Sequence, residues 1–255
     1  MNRSALVALA VFSLTSTGFA ADASQFIAAG DEALTKFDLT KATAAYTSAF
    51  KLDPQNYDVN WRLARALADA STLETDNAKK KSLLLDAQDH ARIAVRLNPT
   101  GSKGHAYLAV VVGKLALFEG GRTKVELSKE VKTEAEKAIA LDAQEDLAYH
   151  VLGVWNREMV ELNWLLRKVA EVLYGAFPPA TMDNAEKNLR RAVELAPHTL
   201  AHQVELGRTL AAAGKWTEAK TTLDRARAMP KTWVTDDYYK KLAEEKLKEV
   251  NRHLR

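Results

Sequence analysis

Four segments of this chain close in nearly the same way: Lys51-Leu52-Asp53-Pro54, Arg96-Leu97-Asn98-Pro99, Ala140-Leu141-Asp142-Ala143 and Glu194-Leu195-Ala196-Pro197. A fifth closing, at Pro230, completes the series, so that positions 54, 99, 143, 197 and 230 are spaced by 45, 44, 54 and 33 residues. A recurrent ending at such a period means a small structural unit repeated along the chain. No unit can bury its apolar face alone, and each must stack on its neighbours. The punctuation agrees with short turns between helices: 11 Gly and 6 Pro in 255 residues, with Ala, Leu, Lys and Glu throughout. Strands have little support.

The interior of the units identifies the kind of helix pair. Phe26, Ala29, Gly30 and Ala33 are followed by Ala42, Tyr46, Ala49 and Pro54, and Gln203, Leu206, Gly207 and Leu210 by Ala219, Leu223, Ala226 and Pro230, the last one residue early. Large, small and aromatic positions at this spacing follow the 34-residue tetratricopeptide pattern. Small residues let the two helices of a hairpin approach, and Pro stops the second because it lacks an amide hydrogen. Unit two (Trp61, Leu63, Ala64, Leu67 to Ala87, Ala91, Ala94, Pro99), unit three (His105, Leu108, Ala109 to Ala135, Ala138, Ala143) and unit four (Tyr149, Leu152, Gly153 to Ala185, Leu189, Ala192, Pro197) keep both halves but separate them further. Whether the extra residues of unit two, 71–81, form a loop or lengthen a helix is open. The fold class expected is all-α: a tetratricopeptide-like helical-hairpin solenoid with elongated middle repeats over 21–235 and a C-terminal capping helix over 236–255.

Residues 1–20 differ from the rest. Arg3 precedes an apolar run from Ala5 to Leu14, then small residues and Gly18-Phe19-Ala20. This reads as a secretory signal peptide cut after Ala20, the alternative being an uncleaved anchor. The run is shorter than the ~20 residues of a membrane span. The expectation is an exported chain, periplasmic or secreted, with no integral span once processed. With no cysteine, disulfides and thiolate chemistry are excluded. Net charge of +3 is too small to argue for a nucleic-acid partner.

Catalytic and metal motifs are weak. Gly101-Ser102-Lys103-Gly104 only superficially resembles a phosphate loop and falls where an inter-repeat turn belongs. His198 and His202 share a helix face but lack a third ligand, and read as a capping and surface pair. Glu244-Glu245 sits in a charged terminal helix. No cofactor, metal or enzymatic role is expected.

Two surfaces remain. The first helix of each repeat lines the concave face of such a solenoid, so residues one turn apart form a strip. It comprises Ile27 and Asp31; Trp61, Arg65 and Asp69; Ala106, Val110 and Lys114; His150, Val154 and Arg157; Val204 and Arg208. Apolar members suit side chains or an acyl chain, and the cations suit a carboxylate or phosphate. The second surface is an apolar stripe of Trp155, Met159, Leu162, Leu166, Val169 and Leu173, thickened by Trp164, Leu165 and Val172 and rimmed by Tyr174 and Phe177. It either packs between neighbours or walls an apolar cavity.

Glu158-Met159-Val160-Glu161-Leu162-Asn163-Trp164, Ala170 to Leu173, Pro178-Pro179-Ala180-Thr181 and Asn184-Ala185 to Pro197 together resemble the regulator of microtubule dynamics family, here as an exported, bacterial-type member. The resemblance implies a helical repeat domain with protein partners and, for some members, phospholipid binding at membrane contacts. The function expected is therefore a non-enzymatic scaffold holding a protein or peptide segment in its groove, with a lipid or apolar small-molecule carrier as the alternative.

Overall fold

A computed structural model describes residues 22–162, 167, 168, 171, 172 and 180–255. The expected signal segment and Trp164, Leu165, Leu166, Val169, Leu173, Tyr174 and Phe177 of the apolar stripe lie outside the described residues. The helices are α1 (Ala23–Thr35), α2 (Leu39–Leu52), α3 (Tyr57–Leu73), α4 (Asn77–Leu97), α5 (Ser102–Leu115), α6 (Gly121–Leu141), α7 (Asp146–Glu161), α8 (Met182–Leu195), α9 (Leu200–Ala212), α10 (Trp216–Ala228) and α11 (Asp236–His253), with no strand among the described residues. Among the described residues they pair as five hairpins, α1–α2 through α9–α10. The first helices α1, α3, α5, α7 and α9 contact one another in sequence as an inner row, and α11 covers the last hairpin by packing on α9 and α10. This is the tetratricopeptide-like solenoid with a terminal cap.

The repeated closings have one geometry. Asp53, Asn98, Asp142 and Ala196 hold φ of −140, −137, −145 and −134°, and each donates its amide to the alanine carbonyl four residues back, at Ala49, Ala94, Ala138 and Ala192. The residue three positions on then donates to the closing residue's carbonyl. One helical carbonyl and the closing residue's own are thereby satisfied at each end, and where the next residue is Pro, in three cases, its missing amide hydrogen prevents continuation. At the fifth closing Pro230 comes one residue early, and Met229 takes a different conformation, φ −63 and ψ 144°. The segment that follows leaves the repeat pattern.

Elongation of unit two is helical: α3 runs to Leu73 and α4 starts after Asp76, whose carboxylate accepts the Lys79 amide as an N-cap. In unit three the added length lies in α6, with 21 residues. Within hairpins the close approach falls where expected. A Cβ added at Gly30 would meet the Tyr46 ring at 2.4 Å, at Gly153 Leu189 at 2.4 Å, and at Gly207 Leu223 at 2.6 Å. Ala243, Leu247 and Val250 of α11 are buried on the cluster formed by Leu206, Leu210, Leu223 and Ala226, which supplies the apolar seal that a repeat end needs.

Candidate functional site

The inner row brings the sequence-expected strip together, but the strip is internally bonded rather than open. In unit one Asp31 accepts from the Tyr46 hydroxyl at 2.6 Å and pairs with Arg62 at 3.2 Å. Trp61 is 9% exposed. It stacks on Tyr107 at a centroid distance of 5.7 Å and lies under Arg62 and Arg65. Arg65 reaches Tyr46 at 3.2 Å and Asp31 at 3.5 Å, while its buried Nε has no hydrogen-bond partner. Lys114 donates to Thr72 Oγ1, and burial pulls its ammonium pKa down. Val110 is partly buried between two core clusters and Val154 is half-buried.

Four expected members are absent from the surface, Trp61 and Arg157 among them. Ala106 and Val204 are fully buried, because Ala106 packs in a cluster with Ala138 of α6 and Ala148 of α7, and Val204 in the cluster that joins α9 to its neighbours. Tyr107, the neighbour of Ala106, faces inward instead.

Arg157 and Arg208 flank one carboxylate. Arg157, 2% exposed, lies with Nη2 2.8 Å from Glu205 Oε2 and Nη1 3.1 Å from Thr209 Oγ1, and Arg208 donates to Glu205 Oε1 at 2.7 Å. Burial acts to raise the Glu205 pKa, but the two guanidinium groups outweigh it and hold the carboxyl at about 2. Arg157, expected to receive a ligand carboxylate, is thus already committed to one from its own chain. Nearby, His202 Nε2 lies 2.8 Å from Asp146 and its Nδ1 2.9 Å from His150 Nδ1. Burial pushes His150 down to about 3, so that it stays neutral. His202 is therefore a buried link between α7 and α9 rather than a surface partner of His198, which is exposed. No cluster of three metal-ligating side chains occurs among the described residues.

The part of the site that sequence reasoning missed comes from the segment after the early Pro230. Trp233 crosses to the first two repeats: its Nε1 donates to Asp69 Oδ2 at 3.0 Å, its ring centroid lies 5.1 Å from the Arg65 guanidinium carbon, and it packs against the core cluster that contains Leu34, Tyr46 and Leu63. Lys231 stands 5.1 Å over the Phe37 ring of the α1–α2 turn. The far end of the solenoid thereby meets its beginning. The one sequence signal was the early proline.

Asp69 is pushed up to about 6, chiefly by burial, with Lys114, the Trp233 indole and Arg65 opposing and Asp236 adding to it. The folded state thus holds the proton more tightly than the unfolded chain at 3.8. Its contribution favours folding below pH ~4 and is lost as pH rises through about 6. Asp69→Asn, which keeps an acceptor for Trp233, is expected to raise the melting temperature at pH 7.5 by a few degrees, about 1 kcal/mol being worth ~2–4 °C here. The gain should vanish at pH 4, and thermal melts at both pH values check it.

Of the stripe, Trp155 donates to the Ser128 carbonyl at 2.8 Å and is buried with Met159 in the core, Leu162 packs partly on that cluster, and Val172 is 85% exposed. No described helix is long and apolar enough to cross a membrane.

Comparison with known proteins agrees with this architecture. A thermophilic TPR protein of Thermus thermophilus superposes with a TM-score of 0.65 over 88% of this chain and 99% of its own, at 15% identity. Regulator of microtubule dynamics protein 3 of Rattus norvegicus is 30% identical over 189 residues, 74% of this chain and 40% of that protein. Regulator of microtubule dynamics protein 1 of the same organism is 32% identical over 139 residues, 54% of this chain and 45% of that protein. The chain thus spans less than half the length of these relatives. The family described as regulator of microtubule dynamics protein 1-3 matches over residues 26–251, and with the hairpin solenoid and its repeated closings in place, the chain belongs to that family.

Proposed function

We propose that this protein is a non-enzymatic binding scaffold, exported to a periplasm or beyond the cell, whose concave face holds a segment of another protein. The observation that carries the reading is the seating of Trp233 against Arg65 and Asp69: the groove already accommodates a protein side chain by a cation over its ring and a directed hydrogen bond. Asp69 and Lys114 support it. Both are charged groups whose burial works against their ionised forms, and such groups concentrate where a surface is kept for binding rather than for stability. A lipid carrier needs an apolar enclosure, whereas Trp155 and Met159 of the stripe are closed into the core.

A photoreactive amino acid at Lys114, introduced in the native host, tests this. A discrete polypeptide adduct is expected, missing when the same group is placed at the exposed Lys51. Adducts with lipid alone, or no adduct beyond that of Lys51, contradict the proposal.

A further inference from the structure

We infer that the groove recognises a tryptophan-bearing protein segment, and that Trp233 is a resident stand-in for it, a ligand carried in cis. This deepens the proposed function and rests on it.

The chemistry of the seat is specific. It offers an acceptor for an indole N–H at Asp69, a guanidinium at Arg65 over the ring, and an apolar floor from the cluster that contains Leu34, Tyr46 and Leu63. Trp uses all three; Phe uses only the floor and the cation, and Leu only the floor.

The resident fits incompletely. Arg65 Nε remains buried without a partner, and a donor left so is one that a better occupant satisfies. A segment placing a carbonyl or carboxylate beside its tryptophan supplies the missing acceptor.

The resident's loop is exposed on one side of Trp233 and anchored on the other, where Val234, Thr235 and Asp236 are buried. The loop is a knob on the start of α11: the Asp236 carboxylate accepts the Thr232 and Trp233 amides at 2.7 and 2.8 Å. Lys231 and Thr232 are exposed. Withdrawing the knob from the seat leaves those two bonds intact.

Phe37 points the same way. It holds φ at +58°, where the equivalent turn of unit five has Gly214 at +74°. A bulky side chain in the left-handed region is strained, and here its ring is the surface on which Lys231 rests. The turn keeps a conformationally costly residue where the docking segment lands.

The test uses a fluorescently labelled peptide of residues 229–238 and the full chain. A short tether gives the resident an effective concentration of the order of millimolar. Trp233→Ala is therefore expected to bind the peptide with a Kd of about 0.1 mM or below, and hence at least about tenfold more tightly than the wild type. The peptide with alanine in place of its tryptophan should bind neither protein.

Trp233→Phe keeps the ring on the apolar floor but loses the bond to Asp69, and gives a folded control should the alanine variant lose its circular dichroism. It too is expected to bind more tightly than the wild type. Equal affinity of the wild type and Trp233→Phe, or of the wild type and a folded Trp233→Ala, overturns the inference. So does a wild-type dimer that forms by exchange of this segment and is abolished by Trp233→Ala, since the occupant is then a second copy. Failure here beside a polypeptide adduct at Lys114 removes the in-cis ligand alone; failure of the adduct removes the scaffold reading itself.

Discussion

Glu205→Ala is expected to lower the unfolding free energy at pH 7 by about 3–5 kcal/mol, the cost of leaving a buried charge without its partner. The Glu205 carboxylate is 5% exposed and flanked by Arg157 and Arg208, so its loss strands Arg157, itself 2% exposed, with Thr209, a backbone carbonyl and the half-exposed Glu158. Arg157→Ala should cost less, because Glu205 retains Arg208. The pH dependence separates this from a packing effect. A carboxyl held at about 2 against 4.5 when unperturbed contributes stability that is complete above pH ~4.5 and is lost as pH falls toward 2. Thermal or urea unfolding at pH 7 and pH 3 should therefore show a smaller difference between wild type and variant at the lower pH. An undiminished difference at pH 3 counts against the ion pair as its source.

Two glycines on inner helices are expected to respond oppositely to alanine. Gly153→Ala should destabilise by about 1–3 kcal/mol, the usual cost of overpacking a filled core: the new Cβ would stand 2.4 Å from Leu189 Cγ and 3.0 Å from the Ala185 carbonyl oxygen. Backbone oxygen cannot yield as a flexible side-chain end can. Gly113→Ala places its Cβ at an ordinary 3.6 Å from Val131, so the helix-propensity gain of up to about 1 kcal/mol prevails. Urea unfolding of both variants checks the pair. A stabilised Gly153→Ala would mean that α7 and α8 are not held as closely as the hairpin requires.

The repeats were legible in the sequence because their determinants are local. Small residues at Gly30, Gly153 and Gly207, the four similar closings and the terminal apolar set of Leu247 and Val250 each act within a hairpin or between neighbours. Asp76 settled the unit-two insertion as two longer helices, although nothing in the pattern required that choice. The groove was partly legible: Trp61, Arg65, Lys114 and Arg208 follow from helical periodicity. Periodicity could not show that Arg157 faces Glu205, that Ala106 and Val204 are covered by adjoining helices, or that His202 is buried on His150 and Asp146. Those depend on how tightly the inner row curves. The contact of Trp233 with Asp69 spans 164 residues, and no local signal carries a contact between the two ends of a solenoid. What the sequence held was Pro230 one residue early, a small departure whose consequence is geometric.

Everything proposed for the groove depends on the solenoid's last loop closing onto its first repeats. The chain has no cysteine, so Lys36→Cys and Lys231→Cys give two unique sites for spin labels, both exposed. Dipolar broadening of the doubly labelled protein in frozen solution is predicted, from label pairs held close together in most molecules, and it should largely disappear when Trp233→Ala is added. A doubly labelled protein whose spectrum matches the sum of the two singly labelled ones would show the ends apart and contradict the account.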